Sequence, residues 1–286
     1  MSDDLIVVVA AGRQRASLAG DRLRSLGAGS VWQTAFGKDR VSVYGFPFGP
    51  RAAVDAAASL RADGWAADVR PAGGGHLAAW LSHTRPVVVG DRLWVCFPWS
   101  EFTPPAEAGP VVVEIDPLGA FGTGAHPSTR LLLGALVTRL GGGESVLDVG
   151  SGSGVLAICA VRLGAARVAA VDVSAAARTA TSHNAARNGV QLVPPGVQAA
   201  CGLPALVGSS IDSVDDQYDV VLANIAAPTL RELAPSLEAR VGPGGWLGLS
   251  GISPAQVSLV AAAFTRLTMA ELVTDDDWAA LILAER

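Results

Sequence analysis

Short apolar runs alternate along this chain with longer amphipathic stretches, and the spacing of hydrophobic positions switches between two and about 3.6 residues at each change. Leu5–Val9 predicts a strand, and Gln14–Leu26, with Leu18, Leu23 and Leu26 apolar, predicts a helix stopped by Gly27 and Gly29. Ser30–Thr34 and Arg40–Phe46 predict two more strands, the second alternating Val41 and Val43 with polar neighbours. Pro50 opens a helix that runs to about Ala62 and is closed by Gly64, and Trp65–Val69 predicts a further strand. The order β-α-β-β-α-β is that of a ferredoxin-like α+β module, a fold that hosts many functions and by itself names none.

Pro71-Ala72-Gly73-Gly74-Gly75 is the clearest linker signal. Beyond it, His76–Ser82 predicts a short helix, and Asp91–Phe97 and Val111–Ile115 predict strands on either side of the proline-containing stretch 98–110. Three parts follow: residues 1–71 as a small first domain, 72–110 as a connector, and 111–286 as a larger second domain. In the last part strands and helices alternate. Arg130–Leu140, Val155–Leu163, Ala175–Asn188, Pro228–Arg240 and Pro254–Leu267 predict helices. Ser145–Val149, Val168–Val171, Val197–Ala200, Tyr218–Asn224, Trp246–Ser250, Leu272–Val273 and Trp278–Leu283 predict strands, with Gly202–Gln217 a loop. Alternation of this kind predicts a mostly parallel sheet covered on both faces.

Candidate chemistry enters at the turns. Val146-Leu147-Asp148-Val149-Gly150-Ser151-Gly152-Ser153-Gly154 is an apolar run ending in an acid and a loop with glycine at every second position. A helix follows, then a strand ending at Asp172. Strand, glycine loop, helix, strand and acid make half of a nucleotide-binding sheet. Glycines let a ligand approach the backbone, the helix start offers unpaired N–H groups, and an acid about 20 residues on suits a ribose diol. A second glycine loop, Phe121-Gly122-Thr123-Gly124-Ala125-His126-Pro127-Ser128-Thr129, precedes the helix at Arg130, with Ser128 or Thr129 as its expected cap. Both loops, Asp172 and the polar strand end Asn224 are expected at one edge of the sheet. Dinucleotide enzymes favour G-x-G-x-x-G, whereas here the glycines fall at 150, 152 and 154, and the single lysine, Lys38, is no phosphate-loop lysine. The arrangement suits an adenosine-containing cofactor with a charged tail.

Composition narrows the class. The 286 residues are 50% hydrophobic and 16% charged, enough apolar sequence for a sizeable core. A net charge of −5 gives no broad electrostatic grip on nucleic acid. Cys96, Cys159 and Cys201 are scattered and odd in number, and His76, His83, His126 and His183 lack metal-ligand spacing, so no metal site is expected. No apolar run is long enough to span a membrane, and Met1-Ser2-Asp3-Asp4 is acidic where an export signal is basic. A cytoplasmic monomer is the expectation.

The loop Asp148–Gly154 resembles the first motif of class I S-adenosylmethionine-dependent methyltransferases. Glu114-Ile115-Asp116-Pro117-Leu118-Gly119-Ala120 leading into Phe121–Thr129 resembles the signature ahead of the cofactor domain in ribosomal protein L11 methyltransferases. Asp91–Cys96, Ala223-Asn224-Ile225, Leu230–Pro235 and Leu247–Ile252 are similar to further segments of that family, so the resemblance covers roughly residues 90–286. It implies a Rossmann-like class I domain with a mostly parallel seven-stranded sheet, S-adenosyl-L-methionine as cofactor, and a substrate-recognition role for the ferredoxin-like domain. The implied reaction is methylation of lysine ε-amines, and of the N-terminal α-amine, of ribosomal protein L11, free or on the large ribosomal subunit.

Residue by residue, the resemblance implies cofactor contacts at Thr129, Gly150, Gly152, Gly154, Asp172 and Asn224. It also implies that Phe121, Gly122, Thr123 and Gly124 border the methionine end. Ala125 stands where the family usually has threonine, and Ser151 where cysteine is common. Asn224-Ile225-Ala226-Ala227 lacks the prolines and the aromatic that hold a planar amide or base, which favours an aliphatic amine. Asn224 is the candidate to orient that amine and His126 a candidate base. The alternatives are another protein, peptide or small-molecule amine as acceptor, a nicotinamide-dependent oxidoreductase, and a non-catalytic ribosome-binding module.

Overall fold

The computed structural model describes residues 5–28, 30–35, 39–71, 86–98, 109–116, 121–193, 205–214, 216–275 and 277–285. The chain forms two compact units: Met1–Thr84 with Pro117–Phe121, and Arg85–Asp116 with Gly122–Arg286. The expected helix at 76–82 and the expected strand at 197–200 lie outside the described residues.

In the first unit, strand β1 (Leu5–Gly12) leads through a single 3-10 turn to helix α1 (Ala16–Ser25). Strands β2 (Ser30–Ala35) and β3 (Arg40–Phe48), helix α2 (Pro50–Ala62) and strand β4 (Ala66–Pro71) follow. The sheet order is β2-β3-β1-β4 with every pair antiparallel, which is the ferredoxin-like arrangement. Alternation along β1 sends Val7 and Val9 into a core with Leu23, Ala53, Ala57 and Leu60, while Ile6 and Val8 pack on the other face with Tyr44 and Phe46.

The second unit opens with a three-stranded sheet of β5 (Val87–Val89), β6 (Leu93–Cys96) and β7 (Val111–Glu114). Helix α3 (Pro127–Arg139), strand β8 (Ser145–Val149), helix α4 (Val155–Arg162), strand β9 (Arg167–Val171) and helix α5 (Ala175–Arg187) come next. Then come β10 (Leu192–Val193), β11 (Ala205–Gly208), β12 (Tyr218–Asn224), helices α6 (Ala227–Glu232) and α7 (Ala234–Ala239), and β13 (Val241–Ile252). Helix α8 (Val257–Ala261) and strands β14 (Thr268–Asp275) and β15 (Trp278–Ala284) complete it.

The main sheet has the order β10-β11-β9-β8-β12-β13-β15-β14. Seven strands share one direction, and β15 alone runs against them, antiparallel to both β13 and the edge strand β14. The parallel Rossmann-like frame is as expected, with one strand more than seven: the two-residue β10 is too short to carry a periodicity. Strand β11 lies where a loop was expected. The expected helix 228–240 is two helices. Pro235 has no N–H and crowds the carbonyl four residues back, so the chain restarts at Ala234. The expected helix 254–267 is a 3-10 turn and one short helix ending at Ala261.

Two apolar layers cover the sheet. Leu132, Leu136 and Ile158 lie in one and Leu147, Leu230 and Leu249 in the other. Each side chain so buried contributes roughly 1.5–3 kcal/mol. The exposed edge strand β14 is held to α3 by the ion pairs Arg130–Asp275 and Arg139–Glu271, which place charge along an edge that would otherwise invite pairing.

Candidate functional site

The parallel strands β9, β8 and β12 are neighbours, so their carboxyl ends open on the same edge of the sheet. In an open parallel sheet this edge is where ligands bind. Strand β8 ends at Val149. The loop after it turns toward the end of β9, where the Gly150 and Ser151 N–H groups both donate to the Val171 carbonyl, at 2.8 and 3.1 Å.

The acid one residue beyond β9 completes this corner. Asp172 accepts the Gly152 N–H through Oδ2 at 3.0 Å and the Ser174 N–H through Oδ1 at 2.8 Å. Both oxygens are thus fixed in direction, and each keeps a lone pair for a further donor. Val173 follows it and is 86% exposed, an apolar side chain held out beside the carboxylate. Sequence reasoning missed Val173, although its place directly after the acid was a signal.

The loop hands over to α4 at Gly154, which has φ +83°. A Cβ there would lie 3.1 Å from the Thr181 Cα and 2.9 Å from its Cγ2, so only glycine supplies both the conformation and the close approach of α5. Thr181 donates its hydroxyl to the Gly152 carbonyl at 3.1 Å, which makes the Ser151 hydroxyl the donor in their mutual contact. Ser151 therefore ties the loop to α5.

Beneath the loop lies Asp148, 1% exposed. Its Oδ2 accepts the Ala157 N–H at 3.1 Å, while Oδ1 meets no hydrogen-bond partner among the described residues. Burial pushes its carboxyl up to about 7, the negative charge of Asp172 adds to the rise, and the Ala157 N–H opposes it. Burial also raises the Cys159 thiol, with the Asp148 charge as a second cause. A buried acid at the end of β8 was visible in the sequence, but its protonation was not.

Asn224 ends β12. Its Nδ2 donates to Thr129 Oγ1 at 3.0 Å, and Thr129 is fully buried in the first turn of α3. That bond turns the amide so that Oδ1 faces the other way, buried and without a partner among the described residues. Gly251, at φ +84°, holds the next residue in place: a Cβ there would lie 2.6 Å from the Ile225 carbonyl oxygen. Thr129, Asn224, Asp172 and the first glycine loop are thus brought to one edge.

The second glycine loop divides between the units. Phe121 belongs to the first unit, where the Arg24 guanidinium lies 5.3 Å from its ring centre. Gly122 accepts a hydrogen bond from Ser153 Oγ, Thr123 Oγ1 accepts the Ala125 N–H at 3.3 Å, and Gly124 packs on Val95. The cap of α3 is His126, not Ser128 or Thr129. Its Nδ1 accepts the Ser128 N–H at 3.3 Å, and its ring meets Trp278 edge-on at 4.5 Å. A histidine in the extended conformation before Pro127 places the ring over the helix start, and the proline needs no N–H partner. Among the described residues no cluster of His, Cys, Asp or Glu could hold a metal ion, and no helix is long and apolar enough to cross a membrane.

The family model described as ribosomal protein L11 methyltransferase (PrmA) matches residues 76–286. A ribosomal protein L11 methyltransferase of Geobacter metallireducens is 40% identical over 226 residues, covering 78% of this chain and 67% of that protein. One from Shewanella halifaxensis is 40% identical over 207 residues, covering 71% and 65%. The matches therefore span about two thirds of these relatives' lengths. Among solved structures, a ribosomal protein L11 methylase of Lactobacillus delbrueckii subsp. bulgaricus superposes with a TM-score of 0.62. It is 26% identical, covering 71% of this chain and all of that one. The matched span, residues 76–286, takes in β8, Asp172 and the Asn224 strand end. The chain belongs to the ribosomal protein L11 methyltransferase family.

Proposed function

We propose that this protein transfers methyl groups from S-adenosylmethionine to amines of ribosomal protein L11, on lysine side chains and the N-terminal residue. The observation that carries the reading is the buried, unpartnered Asn224 Oδ1, set by Thr129 at the edge that also holds the glycine loop and Asp172. A buried acceptor without a donor costs about 1–3 kcal/mol, and a ligand N–H at that point recovers it.

The residues fit the cofactor. Asp172 offers free lone pairs to the two ribose hydroxyls, Val173 offers an apolar surface to the base, and Gly150–Gly154 lets the methionine end approach the backbone. S-Adenosylmethionine supplies a methyl group on a positively charged sulfur. The acceptor amine must be neutral to attack, and a lysine with its usual pKa of about 10.4 is protonated near neutrality, a cost of roughly 4 kcal/mol. Asn224 Oδ1 accepts one N–H of the neutral amine and so aims the nitrogen lone pair. Alignment of this kind is a large source of rate in a displacement.

We assign His126 to helix capping, since its Nδ1 lone pair is already taken by Ser128; it places Thr129 and, through it, Asn224. The first unit is the proposed substrate-recognition module, and the methyltransferase unit takes in Arg85–Asp116, most of the stretch expected to be a connector. A monomer working in the cytoplasm suits this task.

The test is mass spectrometry of recombinant L11 incubated with the protein and deuterium-methyl S-adenosylmethionine. Labelled lysine or N-terminal residues are expected with wild type, and a loss of at least about a hundredfold in rate with Asn224→Ala, on the scale of an orienting contact. Unlabelled L11 alongside a labelled small amine or a different protein would overturn the acceptor assignment. Full labelling by Asn224→Ala would overturn the role of Asn224.

A further inference from the structure

Helix α5 turns a polar face inward. Thr181, Asn184 and Asn188 lie three and four residues apart, on one side of the helix, and all three are buried. The two asparagines do the same thing one turn apart. Asn188 accepts the Glu114 N–H at 2.8 Å and donates to the Glu114 carbonyl at 2.7 Å. Asn184 accepts the Asp116 N–H at 2.9 Å and donates to the Asp116 carbonyl at 2.8 Å. Each side chain mimics a neighbouring strand for the chain leaving β7.

The second amide N–H of Asn188 stays within the helix, donating to the Asn184 carbonyl at 2.7 Å, whereas that of Asn184 leaves it. The Asn184 amide donates to the Ser153 carbonyl, at 2.9 Å, inside the cofactor loop. Ser153 is itself fully buried; its hydroxyl donates to the Gly122 carbonyl and accepts the Val155 N–H at 3.3 Å. Gly122 directly, and Asp116 by way of Asn184, are therefore both tied to Ser153 of the first glycine loop.

We infer that Ser153 and Asn184 are positioning residues that latch the second glycine loop onto the first and thereby set affinity for S-adenosylmethionine. With the latch closed, the loop backbone is held before the cofactor arrives, and binding does not have to order it. Without it, Gly122–Gly124 and Gly152–Gly154 each lose a fixed partner, and cofactor binding must supply the ordering. Asn188 is the internal control, since its chemistry is the same and it makes no bond to the loop.

This inference rests on the proposed cofactor, and titration calorimetry with S-adenosylmethionine separates the two. Wild type that fails to bind S-adenosylmethionine would overturn the cofactor reading. If wild type binds, Ser153→Ala and Asn184→Ala are expected to bind about tenfold more weakly or worse, the loss expected for one to two hydrogen bonds. Asn188→Ala, compared per folded molecule, should stay within about twofold, well under the roughly 1.4 kcal/mol of a tenfold change. In steady-state assays the KM for S-adenosylmethionine should rise in the first two variants, with kcat at saturating cofactor within about threefold of wild type, a change of under 1 kcal/mol. Equal weakening by Asn184→Ala and Asn188→Ala, or wild-type affinity in Ser153→Ala, would overturn the inference. Ser153→Ala removes one oxygen atom and keeps the test open should Asn184→Ala fail to fold.

Discussion

Replacing Asp148 by asparagine measures what a buried carboxylate beneath the cofactor loop costs the fold. The group stands at about 7 in the native protein against 3.8 for a free aspartate. The native state therefore keeps its proton over a range in which the unfolded chain has already lost it. A raised carboxyl contributes full stability below 3.8, loses it progressively as pH rises, and has lost all of it once pH passes about 7. The shift of about three units corresponds to roughly 4 kcal/mol across the window, of which about 2 kcal/mol falls between pH 5.5 and 8. Asparagine keeps the size and the acceptor for the Ala157 N–H but does not titrate. Its advantage over wild type should grow by about 2 kcal/mol from pH 5.5 to pH 8 in the cofactor-free protein. Hydrogen exchange of the peptide spanning 145–162 reads this directly, because intrinsic exchange rates largely cancel when the two proteins are compared at one pH. The ratio of protection factors, variant over wild type, should rise about 30-fold across that range. A ratio that stays flat would mean that the Asp148 carboxyl is not raised in the fold despite its burial.

Four further outcomes follow from the same geometry. Asp172→Ala removes the acceptor of two loop N–H groups and the proposed ribose ligand, and calorimetry should show a larger loss of S-adenosylmethionine affinity than any other single change at this edge; unchanged affinity would refute the ribose role. Thr129→Val keeps the shape but removes the oxygen that orients Asn224, so kcat should fall by about tenfold or more, worth roughly 1.4 kcal/mol, with cofactor affinity less affected. His126→Ala removes the α3 cap and the Trp278 edge contact. It should lower stability by about 2 kcal/mol in denaturant titrations, while a pH–rate profile of unchanged shape separates capping from proton transfer. Gly251→Ala forces a methyl group against the Ile225 carbonyl at a positive φ, so it should depress kcat by displacing Asn224 more than it weakens cofactor binding, and a wild-type kcat would refute that constraint.

Much of this protein is legible along the chain because its devices are local. A run of four or five apolar residues makes a buried strand, glycines at 150, 152 and 154 make a tight loop, and an acid or amide at a strand end projects from the sheet edge. Those signals place Gly150–Gly154, Asp172 and Asn224 together before any coordinates, since neighbouring parallel strands must end on the same side. The three-stranded sheet of β5, β6 and β7 was partly legible, and the break before Ala234 was legible in principle from Pro235. Strand β10 was not, because two residues carry no period.

What only the tertiary structure decided are the bonds between a side chain and a distant backbone. Thr129 and Asn224 lie 95 residues apart, and Asn184 and Asp116 lie 68 apart. In the sequence Asn188 reads only as the last residue of a predicted helix, and Asn184 as one residue within it. Their partners are peptide N–H and C=O groups, which every residue but proline supplies alike, so nothing in the identity of residues 114 or 116 announces the pairing. The same holds for Asp148, whose acid is written in the sequence, while its proton is set by the walls that close around it.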